Sequence, residues 1–157
     1  MYLFTRFFQL RRKMMQILML RINPIKFALY GIKLGKQPRI CNHVYLHVHP
    51  KSSVTIGDSF TMTSGENFNP LCRNIQGTIY AEREDTVIKI GNHVGMSSTC
   101  LWAKREIIID DHVNIGGDCI IMDSDAHNLD WHVRDSGEMF DTKTTMDVHT
   151  AAYKPIH

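Results

Sequence analysis

Two aspartates and a histidine alternate at the end of an apolar stretch of the chain. Residues 122–127 have the sequence MDSDAH. In an extended segment, side chains two residues apart lie on one face, so Asp123, Asp125 and His127 would point the same way. A neutral imidazole can take a proton from a hydroxyl group, and a carboxylate on its second nitrogen fixes its tautomer. The spacing therefore makes His127 a candidate general base with carboxylates beside it.

The chemistry that this cluster supports is acyl transfer to a hydroxyl group. A hydroxyl oxygen that loses its proton to His127 can attack a thioester carbonyl directly, and a backbone amide can stabilise the resulting oxyanion. The acyl group then reaches its acceptor without a covalent enzyme intermediate. The alternative is an ordinary surface histidine beside acidic residues, because titratable clusters are only a statistical guide to functional sites.

Three other histidines indicate a different kind of site. His43, His93 and His112 each occupy the fourth position of a six-residue block, so His93 and His112 are predicted to stack on one outer corner of the fold. Stacked imidazoles can bind a metal ion such as zinc. The fourth position is also a solvent-facing turn position, and many histidine clusters are structural. We therefore expect no metal here.

Short repeats beyond residue 40 are the elements that must position these side chains. Four blocks begin with isoleucine, continue with a small or acidic residue and carry a medium apolar or small residue at the fifth position. They span 56–61, 90–95, 109–114 and 115–120. A six-residue period fits a short strand followed by a sharp corner. Three such units complete one triangular coil, in which the first residue of each block stacks inward.

Two features of this region are less regular. Trp102 is expected at an inward or corner position, where it would pack rather than bind a sugar. The stretch 64–87 departs from the period, and it is expected to contain a coil with bulged or inserted corners. Its register cannot be assigned from the sequence.

Length and composition fit a single globular domain of 157 residues, 43% hydrophobic and 22% charged. These values exclude a disordered, collagen-like or polytopic membrane protein. The formal net charge of +2 conceals an uneven distribution. Residues 1–40 carry nine basic side chains and no acidic one, whereas residues 41–157 carry nine basic and all 16 acidic side chains, a net charge of −7. The four cysteines are far apart and are predicted to be reduced thiols of a cytoplasmic protein.

The basic segment has helical periodicity. Apolar residues recur at three- and four-residue steps from Phe4 to Ile22, with arginines and lysines between them. We expect Asn23-Pro24 to interrupt this helix and a second short helical stretch to reach Tyr30. The helix could cap the first coil, or lie on an anionic membrane, or do both. Its dense apolar residues argue against nucleic acid, and no nucleotide-binding glycine motif is present.

The hexapeptide pattern resembles the hexapeptide-repeat acyltransferases, in particular the galactoside, maltose and xenobiotic O-acetyltransferase branch. The resemblance covers residues 40–126 and the loop that follows. It implies a mainly β fold, a left-handed parallel β-helix behind an N-terminal amphipathic helix, and assembly as a homotrimer. The domain organisation is then a basic amphipathic helical cap (1–39), a hexapeptide-repeat β-helix (40–126), and an acceptor-side loop with the start of a truncated further coil (127–157).

The resemblance also implies roles for individual residues. In that branch, a histidine at the end of a coil is the catalytic base. His127 occupies the corresponding place, which implies His127 as the base and Asp125 as an acceptor-binding or orienting residue. The sequence RDSGEM at 134–139 resembles the acceptor loop of galactoside-type acetyltransferases, which implies contacts from Arg134 and Glu138.

Two further segments, 69–74 and 96–102, look most like acetyltransferases of capsular and lipopolysaccharide biosynthesis. That likeness implies a saccharide hydroxyl as acceptor, with Asn74, Ser97 and Ser98 near it across a subunit boundary. The alternative for these three residues is ordinary corner hydrogen bonding, which asparagine and serine provide in any turn.

The leading hypothesis is therefore an O-acetyltransferase that uses acetyl-CoA as donor and a saccharide hydroxyl as acceptor, without a metal ion. Members of the branch continue with further coils after the segment that 153–157 resembles, and those coils carry much of the donor groove. A catalytically silent coil domain that binds carbohydrate or scaffolds a complex is the second hypothesis. A metal-dependent hydratase, similar to the γ-type carbonic anhydrases, is the third.

Overall fold

The computed structural model describes residues 2–65, 75–125 and 131–135. A long helix, α1 (Tyr2–Leu29), is followed by twelve short strands and a five-residue helix, α2 (Trp131–Asp135). The strands are β1 (Lys33–Leu34), β2 (Arg39–Cys41), β3 (Val44–Val48), β4 (Ser53–Ile56), β5 (Thr61–Thr63), β6 (Gly77–Ala81), β7 (Val87–Ile90), β8 (Gly95–Ser97), β9 (Cys100–Ala103), β10 (Glu106–Ile109), β11 (Asn114–Ile115) and β12 (Ile120–Met122). The chain is thus mainly β after its N-terminal helix.

The strands form three parallel sheets of four strands each. Sheet 1 has the order β1-β4-β7-β10, sheet 2 the order β2-β5-β8-β11, and sheet 3 the order β3-β6-β9-β12. Each strand along the chain enters the next sheet, so three consecutive strands make one structural repeat with one strand in each sheet. Four such repeats stack in the described part of the chain. This arrangement is compatible with a parallel β-helix.

The interior between the sheets is filled by aliphatic ladders. In sheet 1, Ile56 pairs with Ile90 and Ile90 with Ile109, and all three side chains are buried. These are the first residues of three six-residue blocks, so the predicted inward stacking is confirmed. Burying each such side chain stabilises the fold by about 1.5–3 kcal/mol relative to leaving it in water.

Trp102 does not occupy an inward position. In β9, Leu101 and Ala103 are the buried residues, and Trp102 lies between them on the outer face, half-exposed. Side chains alternate along a strand, so a shift of one residue in the repeat moves a side chain from the core to the surface.

The corners adopt the backbone geometry that the block pattern requires. Ser59, His93, His112 and Asp118, the fourth residues of the four blocks, all have positive φ values between 55° and 64°. Among residues other than glycine, asparagine, aspartate and histidine are enriched in this left-handed region. His43, the fourth residue of a further block at 40–45, is an exception, because the neighbouring Asn42 takes the left-handed conformation there instead.

The irregular stretch after β5 rejoins the stack at Gly77. Strand β6 pairs with β3 on one side and with β9 on the other, which fixes a register that the sequence left open. The inserted residues therefore lie between Thr63, the end of β5, and Gly77. Strand β1 lies within the range 1–39 that the sequence assigned to the helical cap.

Helix α1 continues through Pro24, so the predicted interruption at Asn23-Pro24 is wrong. A proline inside a helix removes one backbone hydrogen bond. Buried contacts on either side of Pro24 hold the helix in place. Before it, the side-chain amide of Asn23 donates hydrogen bonds to the carbonyl oxygens of Ile40 (2.8 Å) and Asn42 (2.9 Å). After it, the side chain of Phe27 is fully buried.

The helix ends in a Schellman motif. Gly31 has a φ of +76°, its amide donates to the Ala28 carbonyl (2.9 Å), and the Ile32 amide donates to the Phe27 carbonyl (3.0 Å). Phe27 and Ile32 both belong to the hydrophobic core. The C-terminal half of α1 therefore caps the first repeat, as one of the two alternatives predicted. No described helix combines the length and the hydropathy needed to span a bilayer.

Candidate functional site

In the sequence, the predicted base follows β12, which is the last described strand. His127, Asn74 and Glu138 fall outside the described residues, and Arg134 lies within α2. Strand β12 ends at Met122, and bends follow at positions 123 and 124. Asp125 is exposed and is only two residues from His127 in the sequence.

Asp123 and Asp125 do not share a face, contrary to the expectation from alternation. Asp123 is 5% exposed, and its carboxylate accepts hydrogen bonds from the backbone amides of Lys104 (2.8 Å), Arg105 (2.6 Å) and Glu106 (2.7 Å). It therefore holds the turn between β9 and β10. The bend after Met122 separates this structural carboxylate from Asp125, whose side chain is exposed.

Ser97 and Ser98 differ sharply in their surroundings. Ser98 is fully buried, and its hydroxyl oxygen accepts a hydrogen bond from the Gly65 amide (3.1 Å). This is the corner hydrogen bonding considered as the alternative to acceptor binding. Ser97 is half-buried on the outer face of sheet 2, where its hydroxyl accepts a hydrogen bond from the Thr63 hydroxyl (3.1 Å).

Ser97 belongs to an open groove of about 700 Å³ along sheet 2, which we call the sheet 2 groove. Its polar lining consists of side chains from successive repeats: Ser59, Thr61, Thr63, His93, Ser97 and Asn114. Gly95 also lines the groove and contributes no side chain to it. A Cβ atom at this position would collide with the Asn114 side chain. Hydroxyl and amide groups at this spacing can exchange hydrogen bonds with several hydroxyl groups of one saccharide.

An imidazole pair borders the sheet 2 groove. The rings of His93 and His112 stack with centroids 4.8 Å apart and planes 7° apart, which confirms the predicted stacking. Asp111 lies beside them. Hydrogen bonds from the backbone and side chain of Asn92 lower the pKa of the Asp111 carboxyl, and the two histidines lower it further. The described residues contain no group of three or more histidine, cysteine or acidic side chains placed to hold a metal ion.

A second surface feature lies on sheet 3. The side chains of Tyr45, His47, Tyr80 and Trp102 form what we call the aromatic ladder. His47 stacks on Tyr80 with centroids 4.3 Å apart, and Tyr80 meets Trp102 edge to face at 5.8 Å. The Trp102 indole nitrogen donates a hydrogen bond to Glu82 (2.5 Å). The ladder is partly exposed and carries a carboxylate at its margin.

Cys100 lies in a setting that disfavours the reactive form of its thiol. It is half-buried in β9, and burial raises the pKa of its thiol, with an opposing contribution from a hydrogen bond with Thr78. A raised pKa keeps the sulfur protonated near neutral pH, and the thiolate is the reactive form. Acyl transfer through a covalent intermediate on Cys100 is therefore disfavoured.

Sequence reasoning missed most of the lining of the sheet 2 groove. Thr61, Thr63 and Asn114 are paired with residues of β8, at Gly95, Ser97 and Gly95 respectively. The signal in the sequence was small polar residues at outward positions of the blocks. It becomes interpretable only once the register of the strands is known. Comparisons with protein-family models, with curated proteins and with solved structures gave no match for the chain.

Proposed function

We propose that this protein is an O-acetyltransferase of the hexapeptide-repeat type, which transfers an acetyl group from acetyl-CoA to a saccharide hydroxyl. The fold in this proposal is a left-handed parallel β-helix, and the chain acts as a homotrimer in the cytoplasm with active sites between neighbouring copies. His127 is the general base, and Asp125 orients it or contacts the acceptor.

The observation that carries the proposal is the agreement between block positions and the stack. The first residues of three blocks, Ile56, Ile90 and Ile109, are buried in register, and the fourth residues of the four blocks are left-handed corners. The last described strand, β12, comes immediately before the sequence DSDAH. This agreement supports the hexapeptide-repeat fold. The resemblance to that class then places His127 where its members carry their base.

In the proposed reaction, the neutral imidazole of His127 removes the proton from a saccharide hydroxyl as the oxygen attacks the thioester carbonyl. The new carbon–oxygen bond forms, the carbon–sulfur bond breaks, and the imidazolium returns the proton to the departing CoA sulfur. The products are an acetylated saccharide and free CoA. A base in this position contributes about 10²–10⁴-fold to such a step.

Acceptor binding is assigned to polar side chains that the hydroxyl groups of a sugar can reach. Ser97, in the sheet 2 groove, is the described residue that best fits this role. Asn74, Arg134 and Glu138 are the further proposed contacts, while Ser98 is assigned to the corner because it is buried. A saccharide is favoured over a charged acceptor because the side chains lining the groove carry no fixed charge.

The test is acetyl transfer by the purified protein with acetyl-CoA and a panel of saccharides, read by mass spectrometry of the saccharide. Mass detection avoids interference from the protein's own thiols in a CoA-release assay. We expect acetylated product with the wild type, a loss of at least about 10²-fold in His127→Ala, and little change in His43→Ala, whose side chain is exposed. Full activity of His127→Ala would refute the assignment of the base.

The second candidate function is carbohydrate binding without catalysis, and the aromatic ladder favours it. The apolar face of a sugar ring packs well against an aromatic ring, and the Glu82 carboxylate beside Trp102 could accept hydrogen bonds from its hydroxyl groups. Calorimetry with the same saccharides distinguishes the two functions. Binding that is lost in Trp102→Ala, together with no binding of acetyl-CoA and no product, would favour the silent module.

A further inference from the structure

Helix α1 has two different faces. Met19, Asn23 and Phe27 recur at four-residue steps, are buried, and lie against the first repeat. A second row of apolar side chains is exposed along the same helix. Its members are Phe4, Phe7, Met14, Leu18, Ile22, Ile25 and Leu29, which we call the outer stripe.

The outer stripe points away from the stack. At 3.6 residues per turn, its centre lies roughly 140° around the helix from the buried row of Met19, Asn23 and Phe27. Exposure is high at both ends, with Phe4 at 73% and Leu29 at 81%. An apolar row of this length on an exposed protein surface marks an interaction site rather than scattered apolar residues.

The charges on α1 identify the kind of partner. The helix carries six basic side chains, Arg6, Arg11, Arg12, Lys13, Arg21 and Lys26, and no acidic one. Arg11 falls within the outer stripe and Arg21 at its border, where their long side chains can extend from an apolar layer to a charged one. The rest of the chain, residues 30–157, carries twelve basic and 16 acidic side chains, a net charge of −4. An anionic surface would therefore attract α1 and repel the remainder.

We propose that α1 docks the protein on an anionic phospholipid membrane, with the outer stripe in the headgroup region and the opposite face still packed on the first repeat. The helix lies in the plane of the interface, as amphipathic helices with a basic polar face do. A second copy of the chain is the less favoured occupant, because two α1 helices would bring only like charges together.

The test is flotation of the full chain with vesicles of phosphatidylcholine alone or mixed with phosphatidylserine. We expect binding to the mixed vesicles, weakening as salt is added, and little binding to the neutral ones. The double variant Phe7→Ser/Leu18→Ser should reduce binding at least about tenfold, since each change removes an apolar side chain from the membrane. Arg11→Gln/Arg21→Gln should reduce both the binding and its dependence on salt.

Ile120→Ser is the matched control, because Ile120 is an exposed apolar residue on sheet 3, 66% accessible, outside the outer stripe. It should bind like the wild type. All these positions are exposed, so circular dichroism should show unchanged folding. Absence of binding to mixed vesicles by the folded wild type would overturn the proposal, as would equal binding to neutral vesicles. Self-association by sedimentation that is lost in Phe7→Ser/Leu18→Ser, without vesicle binding, would assign the stripe to a second copy instead.

Discussion

The carboxylate of Asp123 accepts a hydrogen bond from the backbone amide of Arg105 at 2.6 Å, at the turn that connects sheet 3 to sheet 1. Because the flanking amides of Lys104 and Glu106 donate to the same carboxylate, one buried side chain satisfies three backbone donors. The last described repeat thereby fixes the corner of the repeat before it. Asp125, two residues later, has no such role because it is exposed.

Asp123 and Asp125 should therefore respond differently to the same substitution. Asp123→Ala leaves three backbone amides without their acceptor, and we expect it to lower the free energy of unfolding by about 3 kcal/mol. Asp125→Ala should change it by less than about 0.5 kcal/mol and should instead reduce acetyl transfer. Urea unfolding and the saccharide assay measure the two effects. Equal destabilisation by both changes would contradict this division.

The two neighbouring serines provide a second matched pair. Ser98→Ala removes the acceptor of the Gly65 amide and should destabilise the fold by about 1–2 kcal/mol. Ser97→Ala removes a hydroxyl from the sheet 2 groove and should raise KM for the saccharide while leaving stability nearly unchanged. Thermal unfolding and acceptor titrations separate the outcomes. The assignment fails if Ser98→Ala alone changes KM with no loss of stability.

Gly91 and Gly116 occupy the second position of their blocks but have different neighbours. A Cβ atom at Gly91 would lie within 2.7 Å of the backbone of Asp110 and Asp111, whereas at Gly116 it would meet no atom of the described residues within 4 Å. We expect Gly91→Ala to destabilise by about 1–3 kcal/mol. Gly116→Ala should be neutral or stabilise by up to about 1 kcal/mol through the unfolded state. Guanidinium unfolding of both variants checks the contrast.

The outer corner of sheets 1 and 2 should become weaker in acid. Hydrogen bonds from Asn92 lower the pKa of Asp111, so the folded state favours the charged carboxylate. A group whose pKa is lower in the folded state contributes stability above its ordinary pKa, and that contribution disappears as the pH falls through the lowered value. The difference in Tm between the wild type and Asp111→Ala should be present at neutral pH and should close at low pH. A difference independent of pH would argue against an electrostatic contribution.

Much of the stack follows from the six-residue period alone. Ile56, Ile90 and Ile109 repeat at equivalent positions, and only an inward ladder buries all of them. The stacking of His93 on His112 follows from the same six-residue period, because both are fourth residues of their blocks. Periodicity predicts these relationships because each depends only on position within a block.

The incorrect sequence predictions arise where contacts between distant residues override a local rule. Pro24 should end a helix by its own chemistry, but Asn23 reaches the carbonyl of Ile40, far along the chain, and the helix continues. Trp102 faces outward because the inward positions of β9 fall one residue to either side of it, at Leu101 and Ala103. At the site, the alternation of side chains along a strand could not distinguish Asp123 from Asp125. The structural role of Asp123 depends on the turn between β9 and β10, which is distant in the sequence.

Two side chains of α1, those of Asn23 and Lys26, donate hydrogen bonds to backbone carbonyl oxygens at one end of the stack. The side-chain amide of Asn23 donates to the carbonyl oxygens of Ile40 and Asn42, and the ammonium group of Lys26 donates to that of Val44 (2.5 Å). These carbonyls lie on β2 and β3 or between them, on strands that pair with a neighbour on one side only. Edge strands with open acceptors invite pairing with another chain, the first step of β-aggregation. By occupying these acceptors, the helix hinders strand addition at the end of the stack that it covers.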